Sequence, residues 1–397
     1  MSSRTRSLVC LAGGAVLVLS TWFSTAAALP GLRTELGLSA GAARWVGVGL
    51  QLGFAAGASA SALLGLTDRI RGRTLAATGA VLAATANAAP LAVPTGAVLL
   101  ASRPLAGAAL ALVYAPVLKA AGAWAGAQRG RVLGTMIGAL TVGSASPHLV
   151  NGLGGAGWRP VLTVTSIAAL AGAAVFRFGT VEPPSLGPGL PVTLARIRGA
   201  IGSRPLRLVG LGYIGHVWEL YAGWAAVAPL MLHLWGSPRV AGLTTFAVIA
   251  VGAVAVAAAG AAGDRIGRER AAIVAMRSSG LLVLLLGAVV GQPVLATVVA
   301  FAWGAAVIAD SGQFPALLVE NADPDLAGSA LSAQMAIGFV ATAVACWVVP
   351  TVQSAAGWSW ALACLAPGPL LGAIALDRLR RTDARPVPLP VPALGST

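Results

Sequence analysis

Apolar residues along this chain gather into twelve runs, near residues 8–29, 42–65, 74–92, 95–118, 132–153, 158–178, 207–228, 240–262, 271–290, 294–316, 328–352 and 359–376. Each approaches the ~20 residues that a helix needs to cross a hydrocarbon layer. The third and fourth runs are parted only by the turn from Pro90 to Pro94, the ninth and tenth only by Gly291-Gln292-Pro293. They lack the alternation of polar and apolar residues that a membrane barrel strand requires. A spanning backbone must satisfy its own hydrogen bonds, so the runs predict helices. The expected fold is an all-α membrane protein with twelve transmembrane helices.

Composition strengthens this reading. Of 397 residues, 57% are hydrophobic and 10% charged, against ~25% charged in soluble domains. A soluble globule lacks the polar side chains to cover its surface, and disorder requires the opposite balance. The three cysteines, Cys10, Cys346 and Cys364, have no metal-site or disulfide-framework spacing. Residues 1–28 carry the outline of a secretory signal, with Arg4 and Arg6 before an apolar stretch and Ala26-Ala27-Ala28 at its end. That stretch is longer than a usual signal core, so it is read as the first span.

The net charge of +14 would suggest nucleic acid in a soluble protein. With both termini placed in the cytoplasm, 21 of the 26 Lys and Arg fall on cytoplasmic loops, and only Arg33, Arg44, Arg159 and Arg239 fall outside. The excess of positive charge is therefore topology, and nucleic acid is excluded as a partner. The expected location is the inner (cytoplasmic) membrane, with the lipid bilayer as surroundings. The longest connection, 179–206, reads as a linker between halves at 1–178 and 207–376, and 377–397 as a basic, Pro-rich cytoplasmic tail.

Two loops repeat one string. Gly65-Leu66-Thr67-Asp68-Arg69-Ile70-Arg71-Gly72-Arg73 follows the second run, and Gly260-Ala261-Ala262-Gly263-Asp264-Arg265-Ile266-Gly267-Arg268 follows the eighth. A chain built from two six-helix halves predicts such an echo. The string resembles the G-x-x-x-D-R-x-G-R-[RK] signature of the major facilitator superfamily. The first copy departs by the extra Arg71 and by two rather than three residues between Gly65 and Asp68; the second has Glu269 in place of the final base. Leu99-x-x-x-Arg103-x-x-x-Gly107 resembles the superfamily's fourth-helix signature, with its buried arginine. The G-P-x-x-G-G string of many drug–proton antiporters is missing from the fifth run, which reads Gly138 to His148 without it.

The resemblance implies two pseudo-symmetric six-helix bundles, a small-molecule substrate, a coupling ion such as the proton, alternating access and a monomer. It implies a gating latch at Gly65, Asp68, Arg69, Gly72 and Arg73, with a second at Asp264, Arg265, Gly267 and Arg268. It also implies a central cavity lined by the first, fourth, seventh and tenth helices.

Ionisable residues inside spans are costly, by ~2.5–3.5 kcal/mol at the centre, and so are functional candidates. Arg103, His148, His216, Glu219 and Asp310 form that set. His216 and Glu219, three apart, share a helix face. The first, fourth, seventh and tenth runs hold Trp22, Arg103, Glu219 and Asp310. Arg103 is then an anion clamp or coupling base, and Glu219 or Asp310 the proton acceptor. Tyr114, Trp303 and Gln313 are weaker candidates for the path, where core packing is the competing reading. No phosphate-binding loop, metal-ligand cluster or nucleophile motif occurs, so no cofactor, metal or enzymatic activity is expected. A proton-coupled exporter of hydrophobic compounds and a small-anion porter of nitrate or cyanate type remain open. Outside that class stands a transporter-like sensor.

Overall fold

The computed structural model describes residues 2–125, 129–154, 157–183 and 192–383, and among them the chain is helical without a strand. The elements are α1 (Ser3–Leu19), α2 (Ser24–Ala27), α3 (Leu29–Glu35), α4 (Ala40–Leu63), α5 (Leu66–Arg69), α6 (Gly72–Ala92), α7 (Gly96–Ala125), α8 (Arg129–Gly154) and α9 (Trp158–Ala174), which continues into a π-helical turn (Val175–Gly179). After the linker come α10 (Leu194–Gly202), α11 (Arg204–Trp235), α12 (Pro238–Ile266), α13 (Arg268–Ala288), α14 (Pro293–Ala309), α15 (Gln313–Asn321), α16 (Pro324–Ala356), α17 (Trp358–Ala363) and α18 (Pro367–Asp383).

These helices occupy all twelve predicted positions. Among the described residues, nine are long and apolar enough to cross a membrane, counting α14 with α15 and α17 with α18 as single crossings. The other three positions belong to α1 with α2, to α8 and to α11. The short α1 has 17 residues, and α8 and α11 carry buried polar side chains, among them His148, His216 and Glu219.

Helix ends follow local chemistry. The Ser2, Ser39 and Ser237 side chains accept hydrogen bonds from the backbones of Thr5, Ala42 and Val240, filling orphan donors at the starts of α1, α4 and α12. Several helices outrun their apolar runs, because basic ends reach past the hydrocarbon. The last, α18, runs to Asp383, into the segment expected as tail; Pro386, Pro388, Pro390 and Pro392 lie outside the described residues. Linker residues Pro184, Pro188 and Pro191 also lie outside them.

Small residues set the packing. α8 lies along α12 at backbone contact: a Cβ on Gly134, Gly138 or Gly260 would meet the carbonyl oxygen of Val256, Ala253 or Gly130. Helices in lipid gain little from apolar burial, so close backbone approach is what holds this seam. α4 meets α7 in the same way, where Gly107 abuts the Leu50 carbonyl.

Candidate functional site

A cavity of about 720 Å³ lies between the helices before and after the linker. Its wall runs from Trp22, Tyr221 and Trp224 at the blind end to Asp68, Lys119, Arg268 and Glu320 at the mouth. The mouth therefore lies on the face that carries both loop motifs. At the opposite face, a Cβ on Gly242 would strike Gly152 and the His148 carbonyl, while Arg44 donates to Ser354 Oγ at 3.3 Å and lies over Trp347. Aromatic rings plug the middle. Phe54 packs on Phe339 with centroids 4.2 Å apart, Trp22 stacks on Tyr221 at 5.3 Å and 19°, and Phe23 meets Trp224 edge-on at 6.1 Å.

Two spans break beside this cavity. The first is interrupted at residues 20–23, where neither proline nor glycine stands. Hydroxyls do the work instead: Ser20, Thr21 and Ser24 donate back to the carbonyls of Leu17, Val18 and Thr21, a local competition that weakens a helix. Ser24 also donates to Asn87 Oδ1 at 2.6 Å, and Asn87 Nδ2 donates to Thr165 Oγ1 and Ser166 Oγ. This network fixes the outer piece, α2, to α6 and α9, and leaves Trp22 at the blind end. Asn87 escaped the sequence reading; a lone amide inside the run 74–92 was the available signal.

The other break, at residues 310–312, separates α14 from α15. There Asp310 and Ser311 bracket one imidazole. His216 Nδ1 lies 2.8 Å from Asp310 Oδ1, and His216 Nε2 lies 2.7 Å from Ser311 Oγ. His216 and Ser311 line the cavity. Glu219, one turn along α11, points elsewhere: it accepts from Ser279 Oγ at 2.7 Å and from Trp303 Nε1 at 2.8 Å. The carboxylate paired with His216 is thus Asp310 rather than Glu219. Of the weaker candidates, Tyr114 lines the cavity, Trp303 is bound to Glu219, and Gln313 donates to the Ala259 carbonyl.

Arg103 and His148 are each about 1% exposed. Arg103 Nη2 makes one long bond, 3.4 Å, to the Trp22 carbonyl. Its Nε and Nη1, and both ring nitrogens of His148, have no partner among the described residues. His148 lies beside Phe23, with ring centroids 6.4 Å apart.

The two loop motifs differ in detail. In the first, Asp68 pairs with Lys119 of α7 at 2.6 Å, Gly65 holds φ +61°, and Glu182 accepts from the Arg73 backbone at 2.9 Å, capping α6. In the second, Gly267 holds φ +93° between α12 and α13, a conformation that only glycine adopts readily. Arg268 bridges Asp264 at 3.2 Å and Glu320 at 2.6 Å. The Asp264 carboxylate also abuts Gly130, in the first turn of α8. Among the described residues, no group of His, Cys, Asp and Glu has the makeup of a metal site.

The family model of the Major Facilitator Superfamily matches residues 11–346. Two solved structures share the fold. One is the human organic anion transporter MFSD10 (TETRAN), 18% identical, with TM-score 0.71 over 95% of this chain and 100% of that one. The other is the proton:xylose symporter XylE bound to 6-bromo-6-deoxy-D-glucose, 17% identical, with TM-score 0.72 over 95% of this chain and 96% of that one. No curated protein matches the chain.

Proposed function

The chain belongs to the major facilitator superfamily, and from that premise we propose that it is a secondary active transporter that moves a small organic solute by alternating access. The observation that carries this reading is the cavity: walls from both sides of the linker, a mouth at one face and a sealed opposite face. Rocking of the segments 1–178 and 207–376 about the midplane exchanges the open and closed ends. The motif face is cytoplasmic, because the Lys and Arg of the loops collect there. The protein then sits in the inner membrane with both termini inside.

The lining favours an organic solute over a bare inorganic anion. Trp22, Tyr114, Tyr213, Tyr221 and Trp224 supply flat apolar surface. The bases among the lining residues, Lys119, Arg268 and His216, each stand beside a carboxylate. Protons drive the cycle through His216 and Asp310, the buried pair that meets the cavity, with Glu219 as the second acceptor one turn away. Asp264, pressed on the first turn of α8 across the seam, acts as the latch between the halves.

Protein reconstituted into liposomes tests this reading. Under an imposed pH gradient, a panel of amphipathic organic solutes is expected to yield at least one that dissipates the gradient and is carried with it. Asp310→Asn and Glu219→Gln then stop gradient-driven uptake but leave solute exchange. Failure of every solute under every gradient overturns transport; full gradient-driven uptake in both variants overturns the proton assignment.

A further inference from the structure

Ser311 stands where the buried pair of His216 and Asp310 meets the cavity. It is half-buried, while His216 and Asp310 are each about 3% exposed. It lines the cavity together with Gly312, the next residue along the break between α14 and α15. Among the described residues its side chain makes one hydrogen bond, 2.7 Å, to His216 Nε2. A hydroxyl has a single proton and two lone pairs. The direction of that bond therefore decides what Ser311 turns toward the cavity.

The direction follows from the number of protons on the pair behind it. With one proton between His216 and Asp310, that proton rests on Nδ1, 2.8 Å from the Asp310 carboxylate. Nε2 is then bare and accepts from the Ser311 hydroxyl, and Ser311 shows the cavity lone pairs alone. With a second proton, the pair is imidazolium and carboxylate, or neutral imidazole and carboxylic acid. In both forms Nε2 carries a hydrogen and donates to Ser311 Oγ, whose own proton turns to the cavity. The outcome at Ser311 is the same whichever partner holds the added proton. The other ionisable groups near His216 on α11 are Tyr213 and Glu219, the latter bound to Ser279 and Trp303. Of the helices packed on α11, α16 is uncharged after Asp325, α18 is uncharged before Asp377, and α12 carries Arg239, Asp264 and Arg265 only in its end turns. α10, with Arg196 and Arg198, adjoins the first turn of α11, about 18 Å from His216 along the helix. Lys119, Asp68, Arg268 and Glu320 stand at the mouth.

We propose that Ser311 is the specificity-determining residue that reports the proton load of the His216–Asp310 pair to the solute, and that the solute presents an acceptor oxygen to it on a ring-bearing body. Tyr213 and Phe314 flank the imidazole, with ring centroids 6.2 and 5.3 Å away. Tyr213 and Tyr221 line the cavity beside Ser311, so the oxygen arrives next to flat apolar surface. In the loaded state Ser311 donates to that oxygen. In the unloaded state two acceptors face each other and the solute is released. This inference rests on the proton assignment made above and adds to it what the solute must carry and which residue reads it.

The test uses the purified full chain in detergent and reads the shift of its thermal midpoint with added compound. Acetophenone is the probe. α-Methylstyrene is the control, nearly equal in shape, with a methylene in place of the acceptor oxygen. The half-stabilising concentration of acetophenone is expected to fall about tenfold from about pH 8 to about pH 5.5, the window in which histidine titrates, while that of α-methylstyrene changes less than about twofold. Ser311→Ala reduces the acetophenone response to that of the control, and Ser311→Thr, which keeps the hydroxyl, retains most of it. If Ser311→Ala does not fold, the comparison of the two compounds on the wild-type chain decides alone. A full pH response in Ser311→Ala, or one shared by α-methylstyrene, overturns the role of Ser311. No stabilisation by acetophenone at either pH overturns the solute class and the inference with it. Each of these results leaves alternating access standing, which uptake in liposomes tests separately.

Discussion

Buried charge is handled in opposite ways before and after the linker. After it, His216 lies between Asp310 and Ser311, and Glu219 accepts from Ser279 and Trp303. Before it, Arg103 keeps one long bond and His148 keeps none. A group held by close partners, as His216 and Glu219 are, is tied to the conformation seen here, and removing a partner should damage that conformation. A group without partners adds little to it. The contrast therefore separates buried charges that hold this packing together from buried charges that do not.

The largest effect should come from Asp310→Ala. It strips His216 of its carboxylate where both side chains are only about 3% exposed, and breaking a buried pair from one side costs about 3–5 kcal/mol. Arg103→Met removes a charge that has no counter-charge to strand and only one long bond, to the Trp22 carbonyl, so the same unfolding measurement in detergent should show little loss of stability. Equal losses in the two variants would erase the contrast.

The neutral network around Asn87 sharpens the comparison, because it sits on the side of the linker that holds the orphaned bases. Asn87→Leu leaves Ser24, Thr165 and Ser166 without their shared partner, at a cost of about 2 kcal/mol. A loss of that size shows that hydrogen-bond completeness, and not position in the chain, decides which buried polar groups stabilise. Next comes Trp303→Phe, which keeps the ring and removes one of the two donors to Glu219, at about 1–2 kcal/mol. Paired with a Glu219→Ala change, it should couple by at least about 0.5 kcal/mol, while paired with Arg103→Met it should be additive.

These partnerships were the part that the sequence did not disclose. The spans were legible because their signal is summed over some twenty apolar positions each, and the loop motifs because they are contiguous. Gly267 even shows why its position is glycine, through φ +93°. The breaks beside the cavity are different. Ser20-Thr21-Trp22-Phe23 contains no helix-breaking residue, and its interruption comes from hydroxyls turning back on the helix and from Asn87, more than sixty residues away. The choice of Asp310 over Glu219 as the partner of His216 likewise depends on where α14 stops. Helical spacing marked Glu219 as the near neighbour, but tertiary packing turned its carboxylate toward Ser279 and Trp303.

The smallest effect should be found where both partners are wet. Glu35, at the end of α3, accepts hydrogen bonds from Trp158 Nε1 and Arg159 Nη1, on the face opposite the motif loops. Arg159, then Trp158, hold its carboxyl below the usual carboxylate range. A depressed folded-state pKa means that the contribution is present above the unfolded pKa and is lost as pH falls through the folded value. Wild type and Glu35→Gln should therefore differ slightly in thermal midpoint near neutral pH and converge in acid, below the ordinary range for glutamate. The difference should also shrink with added salt, because exposed pairs are screened. His216 and Asp310 are each about 3% exposed where they meet the cavity, so the contribution of that pair should change less with salt. An Asp310→Ala penalty as salt-sensitive as that of Glu35→Gln would remove the physical basis for setting the pair against Arg103.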